Sequence, residues 1–267
     1  MLSPSAQPQE QLFSQDERAR SYVVDHIIGA WLPELCIHKS LKDKGKMFGV
    51  LLGTWLGEDT LPQDVSWVNK DQKLVSIRAY SGQMDGVWVW PSWAPSLLSH
   101  HRVAGESWRV QYLLHTLTQQ INSRTPLKPP ELINQLRQQR SSISRQHAQT
   151  LRNHTYLYAL NGDVQRLSDY WPTAATGVGE CCAPKLICRA AQLKIKPIGL
   201  GEFWWGPHPK NPPAEVIETR ELNLDLISEH SSKIRSAGSL IELSFYAPCK
   251  ERCLPLMPFL LNQSSTS

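Results

Sequence analysis

The chain is poor in charge, and it has neither a long apolar run nor an apolar stretch in its opening residues. Only 19% of its residues are Asp, Glu, Lys or Arg, low for a soluble protein. No stretch reaches the roughly 18 consecutive apolar residues that a membrane-spanning helix needs, so no membrane role is expected. The opening MLSPSAQPQEQLFSQDERAR is polar throughout, with no h-region of a secretory signal. The expectation is therefore a cytoplasmic protein whose thiols stay reduced, which sets structural disulfides aside. A net charge of +4 is too small to declare a nucleic-acid binder, so its distribution has to decide.

Tryptophan (10) and proline (19) are unusually frequent. The 267 residues allow one large domain or two small ones, with ample chain for a hydrophobic core. Residues 1–17 and the tail 262–267 read as frayed ends, leaving 18–261 as a single α/β domain.

Between those ends, Arg18 to Leu35 reads as an amphipathic helix through Tyr22, Val23, Ile27, Ile28 and Trp31. MFGVLLGTWL (47–56) is a continuous apolar run suited to a strand buried on both faces. LVSIRAYSG (74–82) alternates and is expected to pair with it antiparallel, across a polar excursion at 57–73. GVWVWPSWAPS (86–96) reads as irregular buried packing rather than a base-stacking surface. TYLYALNGD (155–163) is a strand with an Asn-Gly turn, and VQRLSDYW a short helix or a second strand. CCAPKLICRAAQL reads as a helix in which Pro184 is tolerated in the first turn. LKIKPIGLGEFWW (193–205) and SLIELSFYAPC are strands, 206–235 is an acidic, proline-rich loop, and CKERCLPLMPFLL begins a short helix.

Charge is concentrated in one place. Residues 102–152 hold eight Lys and Arg against two Glu, on predicted helices at 107–123 and 130–152 separated by RTPLKPP. The second helix is rich in Gln and Arg and reads as a projecting arm. Arg137, Arg140, Arg145 and Arg152 are its candidate RNA-binding residues, with a plain solvated face as the alternative.

The six cysteines are Cys36, Cys181, Cys182, Cys188, Cys249 and Cys253. In a reducing compartment clustered cysteines point to metal or catalysis. If helical, Cys249 and Cys253 share one face, one turn apart, just after Pro248. Cys181 opens the other helix, where free amides favour a thiolate. These three thiolates can meet around one tetrahedral ion, and zinc suits them. Successive helical residues point about 100° apart, so Cys182 is expected to pack while Cys181 binds. Cys188 lies roughly 10 Å further along the helix and, like Cys36, reads as a buried small residue.

The element order (strand pair, cysteine-led helix, strand, Pro-Cys helix) resembles zinc-dependent nucleobase deaminases. Those enzymes carry His or Cys, one residue, then Glu on the first helix, and Pro-Cys-x-x-Cys on the second. Here Ala183 stands at the Glu position and Cys253 falls one residue late. Glu180 and Glu202 are the candidate proton carriers in its place. GKMFGVLLG, AYSG, GVGECCAPKLI, KPIGLGEFWWG and FYAPCKERCLPLMPFLL, in this order over about 45–261, resemble the N-terminal accessory region of long RluA-type pseudouridine synthases. That resemblance carries over Cys181, Lys185, Glu202, Cys249 and Cys253 as motif positions, with Lys46 in the first block. It implies association with ribosomal or transfer RNA, or with an RNA-modifying enzyme. Pseudouridine formation is not implied, because an H-R-L-D motif is missing and Arg166-Leu-Ser-Asp169 is the nearest string.

The expectation is an α/β protein: a mixed sheet flanked by helices, a deaminase-like core and an inserted basic helical arm at 102–152. Its expected role is a zinc-binding accessory module of RNA modification. The alternatives are a zinc hydrolase of the deaminase type and a metal-free protein-interaction module. Taken alone, Lys185 reads as a solvated first-turn lysine and Glu202 as a strand-end carboxylate.

Overall fold

The structure, a computed structural model, describes residues 17–24, 45–58, 60–98, 101–123, 129–207, 214–223 and 240–262. Most of the helix expected at 18–35 lies outside the described residues, as do Cys36 and most of both frayed ends; Glu17–Tyr22 is helical (α1). The chain divides into two compact units. The first comprises Met1–Ser96, Tyr158–Val164 and Gly179–Ser267, the second Leu97–Leu157 and Gln165–Val178.

The first unit is built on β1 (Lys46–Trp55), β2 (Val65–Asn69) and β3 (Leu74–Tyr80). After the residues of the second unit come α5 (Cys182–Gln192), β6 (Ile195–Trp205), β7 (Val216–Asn223), β8 (Leu240–Tyr246) and α6 (Met257–Leu260). The six strands form one sheet in the order β2-β3-β1-β6-β8-β7. The expected antiparallel pairing of the first apolar strand with the alternating one is present, with Phe48 opposite Tyr80 and Thr54 opposite Leu74. β6 pairs antiparallel on the other side of β1, with Gly49 opposite Glu202.

The α/β class is as expected, but the sheet is antiparallel at every described pairing rather than mixed. The reason lies in the crossover. β3 and β6 both run against β1, hence parallel to each other, but β1 sits between them. α5 completes the crossover and packs on β1, β3 and β6. Its bidentate Arg189–Asp64 pair, at 2.6 and 2.8 Å, ties the far end of the helix to the residues leading into β2.

Both faces of the sheet centre are covered, which is why Met47 to Gly53 are all buried. Opposite α5, Phe48, Val50, Phe203 and Phe245 pack with Val23 of the N-terminal segment and with Tyr80, Met84 and Trp93. Trp93 is thus a core residue, as the packing reading of 86–96 requires; its ring lies 5.5 Å from Phe48 and 5.7 Å from Tyr80.

Two strands escape the sequence pattern. β2 lies inside the polar excursion, and β7 lies inside the loop expected at 206–235. β7 is an edge strand, where charge is tolerated and discourages further pairing; its Glu218 pairs with Arg20 at 2.5 Å. VQRLSDYW supplies both of its readings: β5 (Val164–Arg166), beside β4 (Tyr156–Tyr158), then α4 (Leu167–Tyr170).

The second unit carries the two long helices, α2 (His101–Asn122) and α3 (Pro130–His154). Pro130 suits the first turn of α3, where an amide hydrogen has no helical partner. Only His147 and Leu151 of α3 are buried. Contacts of Ser107 Oγ with His147 Nε2 (3.2 Å) and of Arg140 Nε with Thr118 Oγ1 (2.7 Å) align the helices antiparallel.

Burial lowers the His147 pKa below its ordinary 6.5, so the fold favours the neutral imidazole. This stabilisation is complete above about pH 6.5 and is lost as pH falls through the folded value. Acidification from about pH 7.5 to about pH 5 should therefore lower the melting temperature more in the wild type than in His147→Gln. Circular dichroism melts test this, and equal shifts would exclude His147 as the acid-sensitive group.

Candidate metal centre

The turn before α5 is wound by Gly177 (φ 85) and Gly179 (φ 90), conformations that a side chain disfavours. Cys181 follows in extended geometry at the N-cap (φ −73, ψ 163) and its carbonyl accepts from the Lys185 amide at 3.3 Å. The next residue, Cys182, points at the sheet. It is fully buried, with Sγ 3.4 Å from the Met47 carbonyl and 3.7 Å from that of Ala79. Gly49 makes this approach feasible, since a Cβ there would lie only 2.8 Å from Cys182 Cβ. Cys188 is buried too, its sulfur accepting from the Tyr158 amide at 3.4 Å.

Cys249 and Cys253 do not lie in a helix, contrary to expectation. They span a single turn in which the amides of Cys253 and Leu254 both donate to the Cys249 carbonyl at 3.1 Å. A 3-10 turn, Leu254–Leu256, and α6 follow, with Pro255 and Pro258 unable to donate the amide bonds of a longer helix. One turn is enough to align the thiols. The two sulfurs are 3.4 Å apart, and with that of Cys181 all three lie within 4.8 Å of one another. A tetrahedral zinc with Zn–S near 2.3 Å wants sulfurs about 3.8 Å apart. The three cysteines can hold a metal ion.

Their electrostatics agree. Cys249 is pushed well down, first by the Cys181 thiol and then by Cys253 donating to it. Cys181 is raised by the same contact with Cys249, and Cys253 is raised as well. Thiols this close favour one shared negative charge, whereas a bound dication lets all three ionise.

Glu202 belongs to the same place. It lies inside β6 rather than at a strand end, it is buried, and its Oε1 accepts from the Ala183 amide at 3.0 Å. Burial pushes its pKa up to about 8; the Ala183 amide opposes this and the neighbouring Cys249 adds to it. Ala183 has no carboxylate, but a carboxylate from the next strand reaches its backbone. Cys181, Cys249, Cys253 and Glu202 line one cleft of about 290 Å³, with Ser81, Trp204 and Arg252 among its other walls. Those three walls lie inside the blocks AYSG, KPIGLGEFWWG and FYAPCKERCLPLMPFLL but are not among the expected site residues; chain reversal and strand pairing bring them there.

The remaining expected residues are placed as follows. Glu180 is turned elsewhere, its Oε1 accepting from Ser96 Oγ at 2.7 Å and its Oε2 lying 3.6 Å from Lys185 Nζ. Lys185 is not solvated. It is fully buried, with its ammonium 4.6 Å from the centre of the Tyr80 ring. Lys46 donates to the Ser81 carbonyl at 2.8 Å, and burial lowers its pKa. The Gly82 amide in turn donates to the Glu180 carbonyl at 2.7 Å. Sequence blocks that are far apart along the chain thus converge on one end of α5.

On α3, Arg137, Arg140 and Arg145 are exposed, with Arg145 donating to Ser141 Oγ at 3.2 Å. Arg152 serves the fold of its own unit, donating to the Ala174 carbonyl at 2.8 Å.

Fold and site together define an α/β chain with an antiparallel sheet and, at one helix start, a cluster of three cysteines that could hold a metal ion. Comparison with protein-family models, with curated proteins and with solved structures yields no match. Among the described residues no helix is long and apolar enough to cross a membrane.

Proposed function

We propose that this chain is a zinc protein whose site is of the open, reactive kind, hydrolysing a small amino-substituted heterocycle in the manner of nucleobase deaminases. The observation that supports this reading is the shared cleft of three sulfurs and the Glu202 carboxylate. Cys181, Cys249 and Cys253 would hold the ion, and three protein ligands are the usual complement of a catalytic zinc. Bound zinc supplies Lewis acidity and makes water a nucleophile near neutral pH. Glu202 accepts and returns a proton at its carboxylate while the Ala183 amide holds Oε1 in position. Trp204, which lines the same cleft, is the aromatic side chain available to a planar ring. The described cysteines are all thiols, which suits the cytoplasmic setting proposed for the chain.

Cobalt substitution tests the open position without a known substrate. Visible bands of the cobalt protein should shift on adding azide; insensitive bands would mark a closed, structural site and sink the hydrolase reading. Glu202→Gln should retain the cobalt spectrum yet reduce deamination of cytidine or adenosine by on the order of 10²–10⁴. Unchanged turnover in that variant would remove Glu202 from the mechanism.

The charge of the second unit favours an additional reading. Residues 97–157 and 165–178 carry nine Lys and Arg against three Asp and Glu, a net of +6, whereas the whole chain carries +4. The remainder is therefore slightly acidic. On this reading the unit addresses ribosomal or transfer RNA, or an RNA-modifying enzyme, as an accessory of RNA modification.

A further inference from the structure

Trp108 and Tyr112 sit one turn apart on α2, 58% and 65% exposed. Their rings stack on each other, with centroids 6.0 Å apart and planes inclined by 21°. Single exposed apolar residues are ordinary, but two large aromatics stacked in solvent form a ready surface. His115 and Gln119 extend the same stripe by further turns, joined through Nε2 atoms 2.9 Å apart. Leu113, next to Tyr112, is exposed as well, and the helices of this unit are positive. α2 and α3 together hold six arginines against Glu106 and Glu131. The antiparallel alignment brings Arg145 about level with Tyr112.

Charge selects the occupant. A second copy of this chain would bring the same positive helices against these, which repel. A polyanion is attracted, and flat aromatic faces beside arginines suit a polyanion that also presents flat faces. Unpaired nucleotides do so; in a duplex the base faces are already stacked and hidden.

We propose that Trp108 and Tyr112 form a stacking platform for the unpaired bases of a single-stranded RNA, with Arg137, Arg140 and Arg145 meeting its phosphates. This rests on the nucleic-acid reading of the second unit and narrows it to single strands and to named side chains. It is independent of the metal centre.

The test uses the full chain and a fluorescent RNA of about 15 nucleotides without self-complementarity, alone and annealed to its complement. The single strand should bind about tenfold or more tightly than the duplex. Trp108→Ala with Tyr112→Ala should lose about tenfold or more for the single strand and leave duplex binding unchanged. The double change to Phe should restore most of the affinity, a rescue that charge alone does not predict. Reversal of Arg137, Arg140 and Arg145 to Glu should weaken both forms and flatten the salt dependence. Circular dichroism should show unaltered helix content in the alanine pair, since both side chains are exposed.

Single-strand binding that survives the alanine pair but not the arginine reversal would overturn the platform and leave the nucleic-acid reading standing. Wild-type protein that binds neither form would overturn both. A dimer in sedimentation that dissociates in the alanine pair, with no preference for single strands, would make the aromatics a self-association surface instead.

Discussion

Purified protein is expected to hold about one zinc per chain, and Cys181→Ser, Cys249→Ser and Cys253→Ser are each expected to lose it. The loss should be large because the three sulfurs act as one unit, all within 4.8 Å of one another. A hydroxyl is a far weaker zinc ligand than a thiolate, and two thiolates on an open cleft hold the ion much less firmly than three. Structural zinc sites reach apparent binding energies of about 10–16 kcal/mol in small peptides, so the centre also adds stability to the fold that closes around it. Here it would pin the start of α5 to the turn after β8, which lie about 70 residues apart in the chain. Melting temperature should therefore fall with the metal in these variants and on chelation. Cys182→Ser and Cys188→Ser are the controls. The sulfur of Cys182 faces the carbonyls of Met47 and Ala79, and that of Cys188 accepts from the Tyr158 amide. Neither belongs to the three-sulfur cluster, although Cys182 borders the same cleft, so both variants should keep the zinc. Elemental analysis decides the matter: full zinc in all three ligand variants would sink the centre as drawn.

Gly49→Ala is expected to destabilise the protein by about 1–3 kcal/mol, the range for forcing extra atoms into a packed core. Its new methyl group would stand 2.8 Å from Cys182 Cβ and 3.0 Å from Leu186 Cδ1, both held in the fully buried face of α5. Cys182 Cβ is fixed to the helix backbone and cannot swing aside, and Leu186 Cδ1, the end of its side chain, is fully buried, so the helix start must move away from the sheet. That displacement carries Cys181 with it and breaks the approach of the Ala183 amide to Glu202. Reduced zinc retention should accompany the lower melting temperature. Gly201→Ala supplies the contrast, because a Cβ there meets its nearest atoms at 3.8 Å, an ordinary contact. Denaturant unfolding of the two variants should separate them clearly. Equal, small effects at both glycines would show that α5 is not held against β1 as closely as the structure draws it.

Local pattern alone settled much of this chain. The unbroken apolar run of β1 announced burial on both faces, and the alternation of β3 announced its partner. The cysteine-led helix followed from its tolerated proline, and the step between neighbours set Cys181 apart from Cys182, although Cys181 is extended at the N-cap rather than helical. Each of these depends on periodicity within a few residues, which a linear string records. Other features depended on what lies opposite, which the string does not record. The charged segment at Val216–Asn223 becomes a strand because an edge position tolerates its charge beside β8. The Cys249–Cys253 segment stops at one turn, since prolines withhold the amides of a longer helix. Lys185, outwardly a surface residue, is drawn into the interior by Glu180 and the Tyr80 ring. Glu202 reaches the Ala183 amide because β6 pairs with β1 in the register that sets it opposite Gly49, where the missing side chain lets α5 come close. Register and close approach are properties of two segments at once, and only the folded chain decides them.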